Sequence, residues 1–288
     1  MHRQRNKLLI YGGTVLAGLS SLALHRYMMD NCFDEKGLLI SWNLPMWFML
    51  TIALIFLVGM TLLLRTLGGN GTYEDNFPRD IFSGVLMIAA GAAMFWCAVR
   101  HNTAAAPDVQ TLGNTWTSAI SQLTERGKMI LPWLAAISMA ALGLYRIQGK
   151  HPSVWLSGIV CLNYMLTLVS DYRLWSADPQ IQDYAYQLLA EVLLMLCSFH
   201  RTSCDGGILQ RKKLIFTAMG AAFCSTASLS IGFRRPFFLA SILWALGCIC
   251  STAVLPPDPE EPEEAEKPEE PEEAVETETP EQTEETQE

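Results

Sequence analysis

One acidic side chain stands deep inside an apolar run. Glu191 lies eight positions after Asp183 and nine before His200, so on a helix rising about 1.5 Å per residue its carboxyl sits roughly 12 Å or more from either end. An ionised carboxylate in mid-membrane costs at least about 2.5 kcal/mol on insertion scales, and Glu is too short to reach the interface as Lys or Arg does. Such a residue needs a partner, a proton or water. Helical spacing places Gln180, Asp183, Tyr184, Gln187 and Glu191 on one face, a polar stripe that runs inward from one end. The preceding apolar run offers a matching face in Asn163, Tyr164, Thr167, Ser170 and Asp171, and the short joining segment makes the two helices antiparallel neighbours.

Two readings of this pair of stripes stand side by side. In the first they line a hydrophilic path or pocket opening outward, with Asp171, Arg173, Asp178 and Asp183 at its mouth. Glu191 is then a protonatable or cation-binding group at its floor, and Asn163, Thr167, Tyr184 and Gln187 line the way. In the second, Glu191 is neutral and holds helices together through Asn163, Tyr164 or a backbone carbonyl. Asp178, followed by Pro179, is expected to cap the helix, because its side chain can accept from orphan amides while Pro suits the first helical position.

Other chemistry finds little support. The sequence has no zinc-protease, nucleophile-elbow, phosphate-loop or dinucleotide motif. Arg235-Pro236 matches only the end of one lipid-phosphatase motif, and the later elements are absent. Ser20, Ser21 and His25 lack an orienting acid. His200 and Cys204 are one turn apart, but two ligands make a poor zinc site. Cys97, Cys161, Cys197, Cys224, Cys248 and Cys250 fall inside apolar runs, where thiols behave as small apolar groups. The expectation is a protein without catalytic residues, cofactor or metal, and with no nucleic-acid partner, since its basic residues are dispersed.

The elements that position these residues follow from the apolar runs. A bilayer core about 30 Å thick needs roughly 17–25 mainly apolar residues per helix. Eight stretches qualify: 8–25, 46–64, 80–99, 129–145, 153–172, 183–199, 213–231 and 236–254. The seventh is the weakest, diluted by Ser225, Thr226, Ser228 and Ser230; without it the count is seven. The fold class expected is all-α, a polytopic transmembrane bundle over residues 1–255. With the N-terminus inside, twelve Lys and Arg fall on the cytoplasmic side and eight on the other, which places both termini in the cytoplasm. Between the third and fourth runs, Val109, Leu112, Trp116, Ile120 and Leu123 share one face, predicting an interfacial amphipathic helix over about 108–125. Small residues recur four apart, as in Ala89 with Ala93, Ala136 with Ala140 and Ala218 with Ala222, a pattern that permits close helix contact.

Charge is divided as sharply as hydropathy. Of 29 acidic residues, 16 lie in residues 256–288 together with seven prolines and one lysine. Such a segment cannot bury enough surface to offset chain entropy, so a disordered acidic tail is expected. It either recruits a basic cytosolic protein or simply solvates the chain end; the bilayer is the other expected partner, and the oligomeric state is left open. The stretch DYRLWSADPQIQDYAYQLLAEVLLMLCSFHR resembles a segment of uncharacterised multi-pass membrane proteins of Firmicutes-type bacteria. The likeness covers roughly residues 151–205 and is most specific from Trp175 to Gln187. It implies a bacterial cytoplasmic membrane and carries no activity with it.

Overall fold

A computed structural model describes residues 2–32, 44–65, 73–103, 115–175, 181–230 and 234–252. Every element among them is helical: α1 (His2–Asn31), α2 (Leu44–Arg65), the single turn α3 (Tyr73–Asn76), α4 (Ile81–Thr103), α5 (Thr115–Gln148), α6 (Val154–Trp175), α7 (Ile181–Asp205), α8 (Arg211–Ser228) and α9 (Arg235–Ser251). A long helix thus covers most of each of the eight apolar runs. Four segments are long and apolar enough to cross a membrane, namely Leu44–Arg65, Ile81–Arg100, Arg126–Gln148 and Val154–Tyr172. Three of the remaining long helices fall short for visible reasons. α9 has only 17 residues, α8 opens on Arg211, Lys212 and Lys213, and α7 carries Asp183, Glu191, Arg201 and Asp205.

Residues 115–125, part of the stretch expected at the interface, run without a break into α5. Residues 108–114 lie outside the described residues, as do the acidic tail 256–288 and the expected cap Asp178.

Local signals set several helix ends. Pro236 sits in the first turn of α9, where a missing N–H costs nothing. Gly149 (φ 71°) and Gly207 (φ 90°) follow the ends of α5 and α7 in the left-handed region. There the amides of Lys150 and Ile208 reach back to the carbonyls of Tyr145 and Ser203, at 3.0 and 2.9 Å, in the six-to-one closure that a glycine at this position allows.

Burial sorts the helices. α2 turns Leu50, Leu54, Ile55, Leu57, Val58 and Leu62 outward, whereas most of α8 is buried between α1, α7 and α9. That explains why α8 tolerates its hydroxyls. A helix surrounded by protein need not be uniformly apolar if its polar groups are satisfied locally, and Thr226 and Ser228 donate to the carbonyls of Ala222 and Cys224 at 2.6 and 2.8 Å. α4 and α5 meet almost backbone to backbone. A Cβ built on Gly84 would lie 2.7 Å from the carbonyl oxygen of Gly143, one on Gly143 2.6 Å from that of Gly84, and one on Gly91 2.7 Å from that of Ala136. Only small residues permit such an approach.

At the end of the bundle where α5, α7 and α9 finish, α3 and the residues after it are clamped by buried arginines. Arg146 donates to the carbonyls of Phe77, Pro78 and Ser251 at 2.8, 2.9 and 2.6 Å, thereby capping α9. Arg201 binds Asp205 one turn away and the Ser251 hydroxyl, at 3.2 and 3.0 Å, and the Tyr73 hydroxyl donates to Asp205 at 3.0 Å. Burial pushes the Tyr73 phenol up, so it stays a proton donor to that carboxylate. The Phe77 ring lies under both guanidiniums, 5.3 and 4.7 Å from them.

Candidate functional site

The opposite ends of the same helices carry the Glu191 constellation. α6 brings Asn163, Thr167 and Asp171 to one face at four-residue spacing, and α7 brings Gln187 and Glu191 to one face in the same way. α6 and α7 pack directly against each other. Helical side chains lean toward their own N-terminus. Because α7 begins at the end of the bundle where α6 finishes, Glu191 leans toward Asp171.

The two carboxyls meet on one cation. The Nη1 nitrogen of Arg234 lies 2.9 Å from Glu191 Oε1 and also engages Asp171 Oδ2. Lys128 of α5 approaches Asp171 Oδ1 at 3.4 Å. Two acids and two cations therefore form a balanced cluster, a condition for keeping charge out of water at tolerable cost. The cluster is graded in depth. Glu191 is fully buried and Asp171 nearly so, while the Lys128 and Arg234 side chains keep 14% and 24% of their exposure. The acids form the floor and the cations the rim. Arg234 is held further by the Phe237 ring, 5.8 Å from its guanidinium carbon.

Below this bridge some polar atoms lack partners. Among the described residues Glu191 Oε2 and Asn163 Nδ2 are buried with no hydrogen-bond partner, and the side chain of Gln187, one turn before Glu191, is buried as well. A buried acceptor and donor left unmatched each cost about 1–3 kcal/mol, so a water or a bound polar group is expected to complete them. Chemically the group can hold a proton, a small cation or a polar cationic group.

Of the residues singled out from sequence, Glu191, Gln187, Asn163, Thr167 and Asp171 lie on the two facing helices. Thr167 donates to its own helix, to the Asn163 carbonyl at 2.9 Å. Arg173, Asp183 and Tyr184 lie in α6 and α7, but their side chains are outside the described residues. Tyr164, offered as a partner for Glu191, points elsewhere: its hydroxyl pairs with Ser241 of α9 at 3.3 Å. Arg234 and Lys128, which hold the cluster together, were missed. Their only signal in the sequence is that both lie near helix ends on the same predicted side as Asp171. No family model, no curated protein and no solved structure matches this chain.

Proposed function

We propose that this chain is a multi-pass membrane protein of about eight spans in a bacterial cytoplasmic membrane, with both termini cytoplasmic, and that α6 and α7 form a pathway or sensing pocket for a proton, a small cation or a cationic solute. The observation that carries this reading is Arg234 Nη1 between two buried carboxylates, with Glu191 Oε2 and Asn163 Nδ2 buried and without a hydrogen-bond partner among the described residues. Arg234 stands where a mobile cation would stand. A tethered cation of this kind competes with a free one for the same acids, and the pair stays near neutral only if one leaves when the other arrives. Protonation of Glu191 has the same effect, since it removes one of the two charges that retain the guanidinium. At the rim Arg234 keeps 24% of its side-chain exposure, which leaves it a way outward.

Thiol labelling tests this directly. Single cysteines are placed at positions 187 and 191 in a chain stripped of native thiols, and a membrane-impermeant reagent is applied from the side where Arg234 lies. Labelling is expected to be slow with Arg234 present and about tenfold faster or more with Arg234→Gln, position 187 reacting ahead of 191. If neither position reacts with Arg234 replaced, although each variant inserts and folds, Glu191 only joins helices and the pathway reading is wrong.

A further inference from the structure

A second feature lies where α1 meets the end of α8 and the start of α9. A groove of about 410 Å³ is lined by Leu19, Leu22, Ala23, Arg26, Leu229, Ser230 and Arg235. Its wall is apolar and its charged groups are two arginines. Neither is in an ion pair among the described residues; Asp30, one turn beyond Arg26, makes none with it. Two like charges facing one groove repel each other unless something negative lies between them. A third source of positive potential is the start of α9. Arg235 is its first residue, and the positive end of the helix dipole adds to the charge at that end of α9.

The apolar part has its own geometry. Leu16, Leu19, Ala23 and Arg26 fall on one face of α1, and Leu16 and Leu19 are 68% and 53% exposed. The groove therefore continues along the helix as an open leucine track that leads away from the arginines. A ligand that suits it is negative at one end, where Arg26 and Arg235 sit, and hydrocarbon along the rest. We infer that this groove binds a phospholipid with an anionic headgroup, its phosphate between Arg26 and Arg235 and an acyl chain along Leu22, Leu19 and Leu16. Arginine suits the task because its planar fork binds phosphate oxygens in pairs. The inference is independent of the carboxylate site, since Arg234 turns inward to Asp171 and Glu191 while its neighbour Arg235 turns to the groove.

Native mass spectrometry of the full-length chain in non-ionic detergent reads this out. The protein is titrated with phosphatidylglycerol and with phosphatidylcholine of identical acyl chains. One phosphatidylglycerol is expected to bind in clear preference. Each arginine near a membrane surface contributes about fivefold to the attraction of an anionic lipid, so Arg26→Ala with Arg235→Ala should lower that preference by roughly 25-fold, and Arg26→Gln or Arg235→Gln alone by about fivefold. Arg65→Ala, an exposed arginine at the end of α2, should leave it unchanged. Absence of any preference in the native chain overturns the inference, as does its persistence in the single and double variants, or an equal loss with Arg65→Ala. Displacement of the lipid by glycerol phosphate at comparable concentration would also overturn it, by showing an anion site that ignores the chain. Should the double variant misfold, the two single glutamine variants decide the matter alone.

Discussion

At the scale of single residues, Arg234 and Glu191 are unequal partners. Arg234 serves two acids through one nitrogen, whereas Glu191 meets one arginine and the Asp171 carboxyl. Truncating Arg234 leaves two buried carboxylates with Lys128 as the one cation paired to either among the described residues, and orphaning a buried charge costs about 3–5 kcal/mol. Arg234→Ala should therefore lower unfolding stability by about that much, while Glu191→Gln, which deletes a charge and keeps an acceptor, should cost clearly less. The sign of the pH dependence separates the two. The Arg234→Ala deficit is greatest where both carboxyls are ionised and shrinks as acid protonates them, because a neutral carboxyl needs no counter-ion. Denaturant unfolding in bicelles between neutral and mildly acid pH checks this; a deficit independent of pH would mean that Arg234 acts through packing on Phe237. Half of this arrangement was legible in the sequence. The stripes through Asn163 and Glu191 were, because periodicity within one helix fixes which side chains share a face. Arg234 was not, because it is 43 residues from Glu191 and nothing within an element reports which turn of the chain will fold over it.

At the scale of elements, the closest contact is between α4 and α5, where Gly84 and Gly143 face each other's carbonyls. A methyl group there has nowhere to go but against backbone, so the helices must separate. Gly84→Ala and Gly143→Ala should each cost about 1–3 kcal/mol, and together less than the sum, since the first has already opened the contact that the second would open. A double-mutant cycle by the same unfolding measurement decides it; strict additivity would place the two glycines in unrelated contacts. The general pattern of small residues was readable, but this pair was not. Alanines four apart marked the right helices, while the glycines that actually touch are matched across two helices, and register between helices is a property of packing. α8 teaches the complementary point. Its serines and threonines lowered its standing as a membrane span because hydropathy assumes lipid on every side, whereas protein surrounds most of this helix.

At the scale of the whole molecule, charge holds the bundle at both ends. The Arg234 cluster joins α5, α6, α7 and the start of α9, and the Arg146–Arg201–Asp205 group joins α3, α5, α7 and the end of α9. Asp205→Asn removes the one carboxylate that Arg201 pairs with among the described residues, so it should destabilise the chain by about 3–5 kcal/mol without altering labelling at position 187. A change in that labelling would show the two ends to be coupled. Reporter tags at the two termini should be found on the same side of the membrane, the cytoplasmic one; tags on opposite sides would require an odd number of spans. Removal of residues 256–288 should leave both the unfolding stability and the labelling pattern as they are, and loss of either would give the tail a part in the bundle.

α5 holds Pro132 inside its length. Proline has no amide hydrogen to give, so the carbonyl four residues earlier, that of Lys128, loses its usual donor and the helix is softened at that joint. The two lengths of α5 are then like rods joined by a spring. When a bilayer thins or thickens, a helix that must match it yields first where it is weakest. In this chain the carbonyl left without its donor belongs to Lys128, whose ammonium reaches Asp171, so any give in α5 at that joint acts on a residue of the bridge.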